Sequence, residues 1–339
     1  MAAGAIQRFM DARAVVRVGK LAGSGILTTG EVIYVKKATD PDIAEFQRER
    51  ELGLCFADIQ SALDACVSGR HDYVVVVTPY DNAAYQPASG LQMTKRFVHL
   101  VGASGTNFGA PEVDFTGANG LHIGVGVSGS NPSRGCELRN LKLYTLLAGT
   151  VVIQIGDATR HPYDTQIISC GVLNLNASAT VPEVKDYGND LYVAGGGSGS
   201  RYSYWGTGLV AHPKDIYTQQ TLEGGNFGST TWVDVVFFTK AATTGDQQLT
   251  FVTGSLPHLF LNCVFLNVKS TAAMDSAVVA ADTNQVFFTD CKAFGCTTLC
   301  TAAKGQTAPA GMGLLVASAD IFNPALAVGA DEPVAADTP

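Results

Sequence analysis

Charge is the first thing this chain has little of. Only 15% of its 339 residues are Asp, Glu, Lys or Arg, against about 25% in an ordinary soluble domain. The little charge there is leans acidic, to a net −8. That opposes a nucleic-acid surface, which needs clustered Lys and Arg. No run of residues approaches a membrane span. Residues 1–9 lack an apolar core of signal-peptide length, which predicts a chain assembled in a cytoplasm. Tryptophan is scarce, at 2 residues. The 8 cysteines are scattered inside apolar strand patterns such as Leu261-Asn262-Cys263-Val264-Phe265. They read as reduced core residues rather than a disulfide framework. Cys291, Cys296 and Cys300 do not have zinc spacing, and no histidine lies near them. Asn176-Ala177-Ser178 matches a glycosylation sequon, which carries little meaning in a chain without an export signal.

Catalytic signatures are missing too. There is no Gly-x-Ser-x-Gly elbow and no phosphate-binding loop. The 6 histidines (71, 99, 122, 161, 212 and 258) have no ligand spacing and read as structural or surface residues. Asp164, Glu183, Asp186, Asp190 and Glu223 are candidates for a carboxylate pair, with solvated loop charges as the default. No metal, no cofactor and no catalytic residue is expected.

What is present is glycine, 37 residues of it, with many Val, Thr and Ala. That balance suits a β-rich solenoid, whose surface is mostly sheet and turn. Residues 56–66 carry Ile59, Leu63 and Cys66 at i, i+4, i+7, the stripe of a short amphipathic helix. After the turn at Ser68-Gly69-Arg70-His71, the β-branched run 73–78 is too short for a helix and stops at Pro79. Residues 97–101 form the next strand. A short helix followed by strands and irregular loops predicts an all-β, right-handed, single-stranded parallel β-helix, with the helix over its open end. Further strands are expected at 33–37, 121–127, 136–144, 151–155 and 166–175. Residues 41–53 read as a solvated helix or loop.

The clearest internal repeat is Val233-Asp234-Val235-Val236-Phe237-Phe238, Leu261-Asn262-Cys263-Val264-Phe265-Leu266 and Thr289-Asp290-Cys291-Lys292-Ala293-Phe294. Asp234, Asn262 and Asp290 recur every 28 residues. One coil per period stacks them at about 4.8 Å per rung, with Phe237 over Phe265. The polar column satisfies turn backbone groups, and the aromatic column fills the interior. A catalytic role for Asp234 and Asp290 fits less well: two coils apart, they are separated by roughly 10 Å, wide even for inverting glycosidases.

Ile33-Tyr34-Val35, Ile59-Gln60-Ser61-Ala62-Leu63-Asp64-Ala65, Asp72-Tyr73-Val74-Val75-Val76 and Val98-His99-Leu100-Val101-Gly102 together resemble the opening of pectin-lyase-like β-helix proteins. More closely, they are similar to β-helix virion structural proteins of tailed, marine-type bacteriophages. The likeness covers about the first third of the chain. It implies a capsid decoration or head-spike protein, trimeric about its long axis, with the major capsid protein or another virion protein as partner. The hydrolase signatures of that fold (Asn-Thr-Asp, Asp-Asp, Gly-His-Gly) are absent, and Trp232-Val233-Asp234-Val235 lacks the histidine of the lyase pattern.

The expected organisation is an anchoring arm at 1–30, a β-helix at 31–317 and a tail at 318–339. Within the β-helix, 177–230 breaks the strand pattern and reads as a large loop insertion. Around its Gly195-Gly196-Gly197-Ser198-Gly199-Ser200 stretch lie Tyr187, Tyr192, Tyr202, Tyr204, Trp205 and Tyr217. Tyr192, Tyr202, Tyr204 and Trp205 are the candidate contacts for a partner or a glycan, and packing against the helix wall is the commoner fate of such residues. A tailspike or tail-fibre protein that grips or cleaves a host surface polysaccharide is the alternative.

Overall fold

The computed structural model describes residues 30–49, 55–103, 110–125, 133–157, 159–174, 183–194, 214–218, 230–239, 247–251, 257–267, 274–280, 285–294, 296–302, 315–316 and 319–322. They form a parallel β-solenoid. One coil runs through Glu137–Arg139, Lys142–Thr145 and Ile153–Ile155 before Tyr163–Ile168 starts the next. Strands of equal rank pair parallel from coil to coil. The result is a long sheet of 11 strands, a second of 8, and shorter sheets of 3 and 4 strands that follow the long one around its corner.

The register explains the core. On the long sheet Ile33 pairs with Val74, Val74 with Leu100, Leu100 with Leu138, and Leu138 with Ile167. The column continues through Val193, Trp232, Phe260 and Phe288. All of these side chains are buried. Side chains alternate faces along a strand, so one inward position per rung builds an unbroken apolar column. Its late rungs are aromatic. Phe260 stacks on Phe288 with centroids 4.9 Å apart, and Phe237 on Phe265 at 4.7 Å and 3°. Removing such a ring costs about 3–5 kcal/mol, a large share of a typical total stability of about 5–15 kcal/mol.

Corners are made by left-handed backbone. Asn140, Ser169, Asp234, Asn262 and Asp290 have φ of 50–54° and follow long-sheet strands. The hydrogen-bond ladder passes through them: Asn140 N donates to Ile168 O at 2.9 Å and Asn262 N to Thr289 O at 2.8 Å. Asn and Asp tolerate this region better than other non-glycine residues. Asn262 Nδ2 also donates to Asp234 Oδ1 at 2.5 Å. The expected strands at 136–144 and 166–175 are therefore each two strands, broken at Asn140 and Ser169. Periodicity does not register a single residue in the left-handed region.

Two helices dress the first rungs. Helix α1 (Ile43–Glu49) lies on the outer face, where Phe46 meets Tyr34 edge-on at 5.7 Å beside Val75 and Val77. Buried Lys36 bridges Asp40 and Asp42 and lies over the Phe46 ring. Helix α2 (Ile59–Ala65) is the expected end cap. Ile59, Ala62 and Leu63 join the core cluster of Ile33, Val35 and Val74. Asp58 caps its N-terminus by accepting from Ser61 N. At the other end Lys95 Nζ donates to the carbonyls of Leu63, Asp64 and Cys66. Gln60 and Gln92 exchange hydrogen bonds, which pins the helix to Leu91–Met93.

Two expectations about organisation change. Within 177–230, Val184–Asp186, Asn189–Ala194 and Lys214–Thr218 are rungs of the same sheets, and Tyr187 is buried. An insertion there is narrowed to the rest of that span, outside the described residues. Strands of 3–6 residues are too short to announce themselves; pairing with neighbouring rungs defines them. Of the tail expected at 318–339, Ala319–Phe322 pairs parallel with Cys291–Phe294 and belongs to the sheets, and the rest lies outside the described residues. The arm at 1–30 lies outside the described residues except for Gly30. Strands Leu91–Met93 and Glu112–Asp114 were not legible in sequence.

Two substitutions test this packing. Phe265→Ala is expected to lower the unfolding free energy by about 3–5 kcal/mol in urea titrations, whereas the exposed Lys292→Ala stays within about 0.5 kcal/mol. Asn262→Ala forces a Cβ-bearing residue without a polar side chain into the left-handed corner and is expected to cost about 1–2 kcal/mol. Asn262→Gly, which adopts positive φ freely, is expected to cost less in the same measurement.

Candidate functional site

Among the described residues, the outer face of the long sheet carries a dense group of polar side chains. Register places Tyr73, His99, Glu137, Gln166 and Tyr192 on successive rungs of one outward column. His99 Nδ1 lies 2.9 Å from Glu137 Oε2, and Arg139 Nε donates to Glu137 Oε1 at 2.5 Å. On the other side, His99 Nε2 lies 3.2 Å from His71 Nδ1. The order is thus Arg139, Glu137, His99, His71.

Rings enclose this chain. Tyr73 stacks on His99 at 4.4 Å and Phe97 on His71 at 4.4 Å. His71 and Phe97 have φ of 61° and 54°, at the corner before each long-sheet strand. Gly135, Asp164 and Asp190 occupy that corner on later rungs, also at positive φ. Gly135 fits beneath Phe97, since a Cβ there would come within 2.4 Å of the ring. The strain at Phe97 is therefore held by packing on both sides.

Burial works against the charge of Glu137, but the His99 hydrogen bond and the Arg139 charge outweigh it and hold its pKa below the ordinary value. An ionised carboxylate only accepts, so the His99 Nδ1 that faces Glu137 is the donor of that bond. A similar knot ties the first rung. Fully buried Asp72 accepts from Glu31 N, Val67 N and Arg70. Burial raises its pKa, and the Arg70 and amide hydrogen bonds win, leaving it below normal.

The expected site residues fare differently. Tyr192 is 37% exposed on the outer column; Tyr202, Tyr204 and Trp205 lie outside the described residues. Asp234, Asn262 and Asp290 stack on consecutive rungs as corner residues, and Phe237 and Phe265 stack in the interior. Of the carboxylates, Asp164 and Asp190 come onto adjacent rungs by register, with Arg134 bonded to Asp164 at 2.8 Å. Glu183 and Asp186 are buried rather than solvated, and Glu223 lies outside the described residues.

Cys170, Cys263 and Cys291 each follow a left-handed corner residue and are buried and reduced. Burial pushes Cys170 up to about 12 and Cys136 up to about 11. His258 is fully buried, its Nδ1 2.9 Å from Thr230 Oγ1, which also accepts from Trp232 Nε1. The grouping of His71, His99 and Glu137 was missed. Its only signal was that His71 and His99 are 28 residues apart, the period of the later repeat. Among the described residues no helix is long and apolar enough to cross a membrane.

Acid is expected to expose these arrangements. Asp72 and Glu137 have depressed folded pKa values, so their stabilisation is present above the unfolded values of about 4 and is lost as pH falls through the folded ones. The melting temperature is expected to drop steeply below about pH 4, and Glu137→Gln flattens that acid limb while lowering the neutral plateau. An unchanged acid limb in the variant counts against the ionised chain.

No family model, curated protein or solved structure matches this chain.

Proposed function

We propose that this protein is a non-enzymatic structural component of a bacteriophage virion, a capsid decoration or head-spike protein anchored by residues 1–30. The reading starts from the likeness of its first rungs to β-helix virion proteins. A fold of this kind hosts many functions, so support has to come from the side chains. The observation that carries it is where the reactive groups go. His99 and Glu137 are tied across rungs, as are Asp72 and the Glu31 backbone, while Arg70 and Arg139 hold the two carboxylates from within their own coils, so the described polar chemistry stiffens the rod. The outer column beyond Gln166 turns apolar, with half-buried Leu259 and Phe287 on later rungs. Such a face suits contact with further copies of the chain in a trimer.

The test is co-sedimentation with tailless, expanded phage heads stripped of their own decoration. Full-length protein is expected to pellet with heads, and a version lacking residues 1–30 is expected to stay in the supernatant. If neither pellets, the head assignment fails.

One observation favours a second reading, a tailspike or tail-fibre protein that holds a host glycan: Tyr192 is exposed beside exposed Gln166 on a flat sheet face. Sugar binding that is lost in Tyr192→Ala, or in Tyr204→Ala with Trp205→Ala, is the outcome that reading requires.

A further inference from the structure

The facing nitrogens of His71 and His99 make a contact between the first coils that depends on proton count. We propose that this pair is an acid-opened latch: it holds with no added proton or with one, and a second proton breaks it and frees the corner that precedes Asp72–Val77.

Nδ1 of His71 lies 3.2 Å from Nε2 of His99, within hydrogen-bond reach. The rings are parallel to within 17°, with centroids 5.5 Å apart, so the two nitrogens meet head-on. A neutral imidazole has one N–H and one lone pair, whereas an imidazolium has two N–H groups. With both rings neutral, Nδ1–H of His71 donates to Nε2 of His99, whose own N–H goes to Glu137. One added proton is accommodated. It sits on His99, which then donates to Glu137 on one side and to His71 Nδ1 on the other, while His71 keeps its hydrogen on Nε2. A second proton puts a hydrogen on both facing nitrogens. The bond then has no acceptor, and two positive rings are held together on a face where His99 is 8% exposed. Like charges so close disfavour the charged form.

Among the described residues, the charged groups around the pair do not offset that second charge. Glu137 faces it and already serves His99 and Arg139. Tyr73 stacks over His99 and stays uncharged, since burial raises its pKa. Phe97 covers His71 from the next rung. Arg70, next to His71 in the chain, is committed to Asp72 and Glu31, and Arg134 to Asp164. His71 is the partner that gives way, because it sits in left-handed backbone at φ 61°. Gly30 lies against its carbonyl, where a Cβ would come within 1.9 Å. Glu31 follows, bonded through its N–H to Asp72 and through its carbonyl to Tyr73 N. The latch therefore holds the corner on which the chain enters its first rung.

Histidine changes charge between about pH 5 and 8, so the latch opens above the acid limb set by Asp72 and Glu137. Below about pH 6.5 the unfolded chain binds two protons on these residues and the closed latch binds one. The stability that the closed pair contributes is thus lost as pH falls through this window.

NMR of the full chain carrying carbon-13-labelled histidine, titrated between about pH 8 and 5, tests the latch. His71→Asn and His99→Asn assign the two rings. Both wild-type signals are expected to move in two separated steps that belong to the pair, and in His71→Asn the His99 signal is expected to move in one. In urea titrations, the folding equilibrium of wild type is expected to weaken by up to about 10-fold per pH unit below about pH 6.5, relative to His71→Asn. Asn adopts left-handed backbone more readily than most residues, so the corner survives that change. His122→Asn, on the eight-stranded sheet, is expected to keep the wild-type profile. Single independent steps for the two wild-type rings, or superimposable stability profiles of wild type and His71→Asn across this window, overturn the latch. Neither readout involves phage heads, so the latch and the virion reading fail separately.

Discussion

Parallel hydrogen bonding along a single axis sets every residue over its equivalent one coil away, about 4.8 Å distant. Everything else here follows from that spacing. An inward position must be apolar on every rung, because a polar group there sits between the rungs above and below with no water in reach. Ile33 through Phe288 meet this condition without a break along the long sheet. Thr230, Trp232 and His258 enter the interior as a partnered set, whereas inward Thr165 buries a hydroxyl oxygen without a hydrogen bond among the described residues.

The second constraint is at the corners. A strand of 3–6 residues must bend sharply without interrupting the ladder, and one left-handed residue per corner achieves that. Asn, Asp, Ser and Gly fill most such places at small cost. His71 and Phe97 are the exceptions on the first rungs, held by stacking on each other and by the absence of a Cβ at Gly135. That strained pair places a histidine ring where it meets His99, so backbone geometry and the polar chain on the outer face have one origin.

The outer face of the long sheet changes character along the rod. Helix α1 covers its first rungs through Phe46. The middle rungs carry the His99, Glu137 and Arg139 chain, and the later ones turn to Tyr192, Leu259 and Phe287. The rod thus has one end closed by α2 and an outer face that passes from a helix-covered stretch to a bare sheet. Side-chain bonds between coils add shear resistance to a ladder whose backbone bonds run along the axis.

The sequence by itself determined the class of fold, the α2 cap and the repeat of Asp234, Asn262 and Asp290. Each is local: a stripe at helical spacing, β-branched runs ended by Pro or Gly, a constant period without gaps. Where the period stays at 28 residues, the stacking of Phe265 on Phe237 can be counted from sequence. Tertiary structure decided what crosses coils of unequal length. His99 meets Glu137 across 38 residues and His71 across 28, with loops between that differ in size. The three strands inside 184–218 and the rung at Ala319–Phe322 were likewise settled by their neighbours. A three-residue strand has too little pattern of its own, and gains its identity only when a preformed edge supplies the hydrogen-bond partners that fix its register.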